Sequence, residues 1–415
     1  MNLNELYENR EKYFLTPSSG LKNAATIFLV LGACAAGYGF YSGKGTQVWG
    51  SYIFNLYFFF GLAVGGIAFS AIQDVVGAIW SRPIRRIHEG FGAFIFVGIV
   101  LIFIFLLAIA FDVGGAGSIY LWMTNPELLD HFWGKKTWLQ PWFFYLRIVL
   151  ILVFFAIYSV WILRSALRRD QEFLNGNKEK ALAMGHEIRV RNRYWGGGLL
   201  LVFGYGLTFL GMDLIKSLAP LWFSTLWGGW QFAIMMQTLF ASTLLVMFWQ
   251  KKTAIGAMFN RQQFHDVGKL MHGFTAFFGY LTFAHVLTYW YANMPETTEY
   301  YIHRLHSPWI AVVIAIPILA FVLPLYSLVF RAAKWTAVIT IPICIVVLFG
   351  QWLSNLIVVM PEVIKEFPAS PVSLIELGMF FFMLGLFMKT FFWFGRKYPM
   401  ISFADPLLPK AYEHH

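Results

Sequence analysis

Residues 91–111 read FGAFIFVGIVLIFIFLLAIAF, a run of 21 positions without a charged side chain. A helix needs about 20 largely apolar residues to cross the roughly 30 Å hydrocarbon layer of a membrane. A bilayer offers no hydrogen-bond partners to backbone N–H and C=O groups, so a spanning segment must satisfy them internally. This stretch therefore predicts a transmembrane helix.

Comparable apolar runs recur along the whole chain. They predict ten spans, near residues 24–42, 52–80, 84–112, 141–165, 196–216, 226–250, 267–292, 308–331, 334–358 and 370–395. Of the 415 residues, 59% are hydrophobic and only 13% are charged, whereas about a quarter of the residues in a soluble domain are charged. The predicted fold class is an all-α integral membrane protein with about ten transmembrane helices.

The predicted spans show an internal repeat. Span 4 runs from Trp142 to Arg164 and span 8 from Trp309 to Arg331, so the arginine follows the tryptophan by 22 positions in both. Spans 3 and 7, again four apart, both open with a histidine shortly before Gly-Phe. We interpret spans 2–5 and 6–9 as two parallel-repeat four-helix bundles with one extra helix at each end. The predicted divisions are a cytoplasmic N-terminal segment (1–23), the first span and loop (24–51), the first bundle (52–216), the second bundle (217–360), and the last span with a cytoplasmic tail (361–415).

The distribution of basic residues predicts the orientation. Lys and Arg concentrate near the termini and after spans 2, 4, 6 and 8, and the opposite loops hold only Lys44, Lys135, Lys136, Arg304 and Lys365. The positive-inside rule then predicts that both termini lie in the cytoplasm. The same rule explains the net charge of +10 without nucleic-acid binding. The charged stretch 167–194 is predicted to be a cytoplasmic loop that forms a short helix or lies at the membrane surface.

Cysteine and histidine positions argue against a redox centre in this chain. Cys34 and Cys344 lie far apart, so neither a CxxC pair nor a haem attachment motif is present. His272 and His285 are 13 positions apart on one predicted helix, a spacing found in membrane cytochromes b, but no second helix carries a matching pair. The tail histidines, His414 and His415, cannot supply one. We expect no haem or metal here.

Ionisable residues inside the spans are the candidate functional residues, because each costs about 2.5–3.5 kcal/mol at the centre of a spanning helix. The predicted cytoplasmic half contains Asp74, Glu89, Lys269 and His272, and the opposite half contains Asp112, Arg147, Asp213, Lys216, His285 and Glu376. Only neutral groups such as Tyr205, Thr208, Gln237, Tyr280 and Gln351 lie between them. Two interpretations stay open, namely two proton half-channels or two rings of interface anchors.

Some of these residues have specific alternative roles. His265 and Asp266 precede Lys269 at the cytoplasmic mouth of span 7, where a histidine can shuttle protons or merely pack. Arg147 lies about two turns inside span 4 and needs a buried partner such as Asp112 or Asp213. Asp213 and Lys216 are three residues apart and could neutralise each other. We expect Arg147 and Lys216 each to pair with a carboxylate in a structural ion pair or to face a quinone.

Several motifs carry a family resemblance. The runs FNLYFFFG (54–61) and WSRPIRRIHE (80–89) resemble the second and third spans of polysulfide-reductase, NrfD-like membrane subunits. The runs FHDVGKL (264–270) and YWYANMPE (289–296) resemble the ActF-type subunit of bacterial alternative complex III. The resemblance implies a metal-free subunit of a complex that oxidises membrane quinol, with the same two-bundle fold. It also implies proton conduction.

The resemblance carries expectations about partners and cofactors. They are a second NrfD-like subunit, a periplasmic iron–sulfur subunit, multihaem cytochrome c subunits, and a terminal oxidase as a further partner. Haem c and iron–sulfur clusters would belong to those partners, and menaquinone or its quinol to the complex. Span 9 departs from the pattern, because Gln351, Ser354 and Asn355 stand where a carboxylate is common. A secondary transporter and a purely structural anchor stay open as alternatives.

Overall fold

The computed structural model describes residues 8–130, 133–364 and 368–413. Lys365 and the tail residues His414 and His415, used in the predictions above, lie outside these ranges. The described residues form helices, turns and loops without strands, and ten helices are long and apolar enough to span a membrane. These are α1 Ser19–Tyr41, α2 Gly45–Val75, α3 Arg82–Ala110, α4 Pro141–Leu174, α5 Lys178–Leu218, α6 Trp227–Gln250, α7 Arg261–Ala292, α8 Trp309–Ser327, α9 Ala337–Val363 and α10 Leu374–Lys397. The predicted fold class is confirmed.

The prediction of a loop over residues 167–194 was wrong. In the structure α4 continues to Leu174 and α5 starts at Lys178, so only a short turn with Gly176 at φ 90° separates them. The apolar run marks only the part of a helix that lies inside the hydrocarbon layer. The same helix can continue beyond that layer with polar residues. The charged residues therefore lie on helical extensions of both spans.

Helix α2 is the central helix of the fold. Every residue in its apolar window is buried, and it packs against α3, α5, α6, α9 and α10. In the first bundle α2–α5 and in the second α6–α9, sequential helices are neighbours and the last packs back on the first. Contacts of α2 with α6 and α9 join the two bundles.

The two extra helices, α1 and α10, pack against each other through small residues. A Cβ atom on Gly32 would lie 2.6 Å from the carbonyl oxygen of Gly378, and a Cβ on Gly385 would lie 2.7 Å from that of Ala25. Small residues allow such close approach of helices in a membrane. The pairing brings the chain ends together, because Met400 N donates to Tyr13 O at 2.8 Å.

The side of the fold that contains Tyr13 and Met400 is called the terminal face here, and the opposite side is the distal face. Since successive spans alternate in direction, α2, α4, α6, α8 and α10 all end at the terminal face. The predicted cytoplasmic-half residues lie toward the terminal face. The other group lies toward the distal face.

Candidate functional site

A cavity of about 430 Å³ lies at the distal end of the second bundle. Its walls come from the segment before α6, from α7, α8 and α9, and from the short helix Pro295–Leu305. Aromatic and polar side chains include Trp222, Trp227, Trp230, His285, Tyr300 and Tyr301. A volume of several hundred Å³ with apolar walls and a few polar groups is typical of a small-molecule site. This cavity is called the distal pocket.

One wall of the distal pocket is a fixed aromatic stack. The rings of Trp222 and Tyr300 are stacked with centroids 4.2 Å apart and planes 9° apart. The guanidinium carbon of Arg304 lies over the Tyr300 ring, 3.4 Å from its centroid. The guanidinium donates to Ile357 O at 2.9 Å and to Glu362 at 2.8 Å. The charge of Arg304 is therefore compensated within the protein, and the wall is neutral.

Several uncharged hydrogen-bonding groups face this space. His285 Nε2 lies 2.6 Å from Ser224 Oγ, and Trp230 Nε1 donates to Thr282 Oγ1 at 3.0 Å. The indole N–H of Trp227 is buried and has no partner among the described residues.

The two pocket tyrosines are hydrogen-bond donors at neutral pH. Burial raises the pKa of Tyr300 to about 12 and also raises the pKa of Tyr301. Both phenols therefore stay protonated.

The distal pocket is bordered by side chains that face outward from the bundle. Phe283, Val286 and Leu305 line it and are also 64%, 51% and 53% exposed. In a membrane protein, exposed apolar side chains within a span face lipid. The pocket therefore suits a neutral, planar, lipid-soluble molecule that enters from the bilayer and carries hydrogen-bond acceptors.

Arg147 and Asp213 form an ion pair at the distal end of the first bundle. Arg147 Nε and Nη2 both donate to the Asp213 carboxylate at 2.7 Å. The ring of Trp138 lies under the guanidinium, 3.9 Å from its carbon, and Trp138 Nε1 donates to Asp213 at 3.3 Å. The structure thus selects Asp213 over Asp112 as the partner of Arg147.

Two predictions for the distal group were wrong. Asp112 is exposed just beyond α3, where its carboxylate accepts from Gly117 N at 2.8 Å in a loop. It lies outside the span because α3 ends at Ala110. Lys216 does not neutralise Asp213, whose carboxylate is bonded to Arg147, and its Nζ lies 5.6 Å from the centroid of the Trp222 ring.

Glu376 belongs to a separate polar cluster at the distal face. It accepts hydrogen bonds from Gln47 Nε2 at 2.8 Å and from Ser51 Oγ at 3.2 Å. Asn55, one turn further along α2, donates to Ser51 O at 2.8 Å and accepts from Trp352 Nε1 at 2.7 Å. Polar groups therefore lead from the distal face toward the middle of the membrane.

The terminal face contains a buried ion network in the first bundle. It consists of four arginines and four carboxylates that are at most 5% exposed. They are Arg82, Arg85, Arg86, Arg169, Asp74, Glu89, Asp170 and Asp405. Four positive and four negative charges cancel. This set is called the terminal ion network.

Asp74 and Glu89 are the predicted residues in this network, and Arg85 connects them. Arg85 donates to Asp74 at 2.5 Å and to Glu89 at 2.7 Å. Asp74 also accepts from Arg82 at 2.7 Å and from Asn192 at 2.7 Å. Both carboxylates are thus bonded to arginine, as in an interface anchor.

The network also binds the end of the chain. Asp405 lies 3.3 Å from Arg82, and Arg169 donates to Ser402. A Cβ atom on Gly185 would lie 2.6 Å from Ala404 O, so the tail runs directly against α5. The sequence analysis did not predict the partners of Asp74 and Glu89. For Glu89 a signal was present, because Arg85 and Arg86 precede it by four and three residues and therefore lie on the same side of the helix.

The terminal end of α7 holds another predicted group. Asp266 lies 3.6 Å from both His265 Nδ1 and Lys269 Nζ. Lys269 is exposed, and His272 is partly buried with no partner for Nδ1 among the described residues. Burial lowers the pKa of the neighbouring Lys334, and a second cationic group, Lys269, adds to this shift. This cluster lies in the second bundle, on a different helix from the terminal ion network.

The middle of the membrane contains only neutral polar groups among the candidates considered above. Gln351 donates to Gln237, which in turn donates to Thr275 Oγ1 and to Ala320 O, both at 2.8 Å. Tyr205 and Tyr280, which were expected to bridge this region, are 63% and 65% exposed and point outward. Helical spacing alone does not say which face of a helix meets its neighbours.

No model of a protein family matches this chain, and no curated protein matches it. Within the three described ranges, no three histidine, cysteine or carboxylate side chains are grouped to hold a metal ion. The fold and its sites define a multi-pass, ten-helix integral membrane protein.

Proposed function

We propose that this chain is a membrane subunit of a respiratory quinol-oxidising complex, similar to the ActF-type subunits of alternative complex III. The distal pocket carries the proposal. A quinol headgroup is a flat ring with two hydroxyl oxygens, and it is soluble in the hydrocarbon from which the pocket opens. The aromatic lining, which includes Trp222, Trp227 and Trp230, suits the ring. The N–H of Trp227 and the phenols of Tyr300 and Tyr301 match its oxygens.

His285 gives the pocket a group that exchanges protons. Oxidation of a quinol releases two protons with its two electrons, and the imidazole of His285, 2.6 Å from Ser224 Oγ, offers a nitrogen to which one of them can pass. Of the two residues first considered as quinone-side candidates, Arg147 is held by Asp213. Lys216 lies next to Trp222, a pocket residue. We therefore assign the quinol contact to His285 and its neighbours.

The complex would place this subunit in the inner membrane of a bacterium with both termini in the cytoplasm. The distal pocket would then open near the periplasmic surface. Iron–sulfur and multihaem cytochrome c subunits on that side would accept the electrons, and a second NrfD-like subunit would lie beside this one in the membrane. This chain would contribute scaffold, quinol contact and proton exchange, with the redox centres on its partners.

The pocket proposal is tested on the complex purified from native membranes. A photoreactive azidoquinone is activated by light, and the modified peptides are identified by mass spectrometry. Labels between residues 278 and 305 that excess quinol suppresses would support it. Labels found only on other subunits would refute a contact with this chain. An absorption spectrum of the same preparation should show haem c from co-purified partners.

Proton movement is a second part of the proposal. The Glu376, Ser51 and Asn55 cluster supports a distal half-channel, because its hydrogen bonds lead inward. On the terminal side, Asp74 and Glu89 are bonded to arginines, which favours an anchoring role. His272, with its free Nδ1, is the better terminal candidate.

This part is tested in vesicles with assembled complexes that carry Asp74→Asn or His272→Gln. Conduction predicts that His272→Gln slows proton release while electron transfer continues. Asp74→Asn should instead impair assembly. If both variants assemble, turn over and move protons like the parent, neither residue conducts protons, and the alternative of a purely structural membrane subunit is favoured.

A secondary transporter is the second candidate, and helix α8 is the observation that favours it. Residues Ile318–Val322 form a π-helical segment between Pro317 and Pro324, and Pro324 has no N–H to donate to the carbonyl of Ala320 four residues earlier. The carbonyl of Ala320 in this segment accepts from Gln237. Interrupted helices near the membrane centre hold substrates in many transporters. Uptake of a solute by vesicles that contain only this chain would favour this candidate.

A further inference from the structure

A second, much smaller cavity lies near the middle of the membrane where the two bundles meet. About 10 Å³ of it is open to the centre of a water molecule, which is room for about one water. Four polar side chains from three helices line it, namely Tyr57 of α2, Gln231 and Thr238 of α6, and Asn355 of α9. All four are at most 4% exposed.

Each of these side chains carries a polar atom that lacks a partner. They are the hydroxyl oxygens of Tyr57 and Thr238, Nε2 of Gln231, and Oδ1 of Asn355, and none is hydrogen-bonded to any residue that the structure describes. Most buried polar atoms in proteins find a partner in protein or ordered water. Four exceptions around one cavity indicate a shared partner.

Gly61 provides independent evidence for space at this position. It lines the same cavity, and a Cβ atom built on it would meet nothing within 4 Å. Its neighbours on α2 are different. A Cβ on Gly65 would lie 3.1 Å from Met235 Cγ, and one on Gly66 would lie 2.4 Å from His88 O. The space therefore opens at Gly61 and closes one turn later.

We propose that this cavity is a binding site for one ordered water molecule that joins the two bundles. The hydrogen bonds balance. A water molecule accepts two bonds and donates two. Gln231 Nε2 donates to it and Asn355 Oδ1 accepts from it, while the hydroxyls of Tyr57 and Thr238 supply one donor and one acceptor. Buried waters in proteins typically make about three such bonds.

The water extends a polar connection that the side chains begin. Asn355 Nδ2 donates to Gln351 O at 3.0 Å, and the Gln351 side chain donates to Gln237. With the water in place, Tyr57 of the first bundle joins this chain of hydrogen bonds in the second bundle. The site holds the bundles in register whichever function the distal pocket serves, so it does not depend on the proposed function.

The first test compares two glycine substitutions by thermal unfolding of the purified protein. Gly204 is an exposed glycine within α5 with nothing within 4 Å of an added Cβ, so Gly204→Ala should keep or raise Tm through helix propensity. Gly61→Ala adds the same methyl group but fills the site. If water is bound, Tm falls by a few degrees because four polar atoms lose their partner. A rise in Tm for Gly61→Ala would show a dry cavity and overturn the proposal.

The second test detects the water directly and needs only the unmodified protein. Brief X-ray irradiation makes hydroxyl radicals from bound water, and these oxidise adjacent side chains. Met235 lines the cavity, whereas the adjacent Met236 does not, and both are buried, at 6% and 2% exposed. Faster oxidation of Met235 and Tyr57 than of Met236, reduced in Gly61→Ala, is expected. Equal, slow oxidation of both methionines in the unmodified protein would overturn the proposal.

Discussion

The terminal ion network and the distal pocket bury polar groups in opposite ways. In the network, four arginines face four carboxylates, and charges compensate one another across α2, α3, α4 and the tail. The distal pocket is lined by neutral donors such as Trp227 and Tyr301, and its one guanidinium, on Arg304, is bonded elsewhere. A closed set of charges resists change. A neutral pocket with an unpaired donor can accept a ligand.

The difference predicts where substitutions affect stability and where they affect binding. Removing one member of a compensated set leaves a buried charge, so the terminal ion network should govern stability. Removing an unpaired donor leaves no orphaned group, so the distal pocket should govern binding. Four substitutions, from the largest expected effect to the smallest, test this contrast.

Arg86→Met should have the largest effect. Arg86 is fully buried and bonded to both Glu89 and Asp170, so the substitution leaves two carboxylates short of a partner. We expect a loss of about 3–5 kcal/mol, measured as a lower Tm or a loss of folded protein in detergent. Lys136→Met, in the exposed pair with Asp130, is the matched control and should leave Tm nearly unchanged. Similar Tm values for the two variants would contradict a structural network.

Arg147→Met should have the next largest effect. Asp213 is fully buried, but it keeps the Trp138 hydrogen bond, so we expect a loss of about 3 kcal/mol. The double substitution Arg147→Met with Asp213→Leu removes both charges and should recover most of this loss. Unfolding of the two single variants and the double variant measures the coupling. An additive result would mean that the pair contributes no coupling.

Trp227→Phe should weaken ligand binding more than a matched Trp→Phe substitution outside the pocket. The buried indole N–H has no partner among the described residues, so its removal orphans nothing, while a bound quinol loses about 1 kcal/mol. We expect quinol-analogue affinity to fall about 3–10-fold, with a fall in Tm from the smaller ring that the control shares. Trp309→Phe is the matched control, because that indole N–H is also buried and unpaired but lies outside the pocket. Equal affinities for both variants would remove Trp227 from the site.

Lys269→Met should have the smallest effect. Lys269 is exposed and lies 3.6 Å from Asp266, and exposed ion pairs contribute little. We expect Tm within error of the parent value, even though the residue belongs to the same predicted group as Glu89. A large fall in Tm would contradict the expectation that an exposed ion pair contributes less to stability than a buried one.

Hydropathy correctly predicted the ten spans. The observed helix ends differ from the predicted ones where the chain leaves the membrane. The extension of α4 to Leu174 is an example, since polar residues beyond the hydrocarbon layer can still be helical. Some candidate residues were also predicted correctly and others were not. Arg147 was correctly predicted to need a buried carboxylate, and the structure provides Asp213. Asp112 was misplaced because a count along the chain put it inside α3.

The sequence by itself determined that this protein is helical, spans a membrane about ten times and carries costly charges near both faces. Each of these follows from the local cost of placing a polar group in hydrocarbon, which depends on residue type and position along one helix. Only the tertiary structure decided that Arg85 bridges Asp74 and Glu89, and that Trp227 and His285 share a pocket. Partners come from different helices, and the rotation of each helix about its axis selects them.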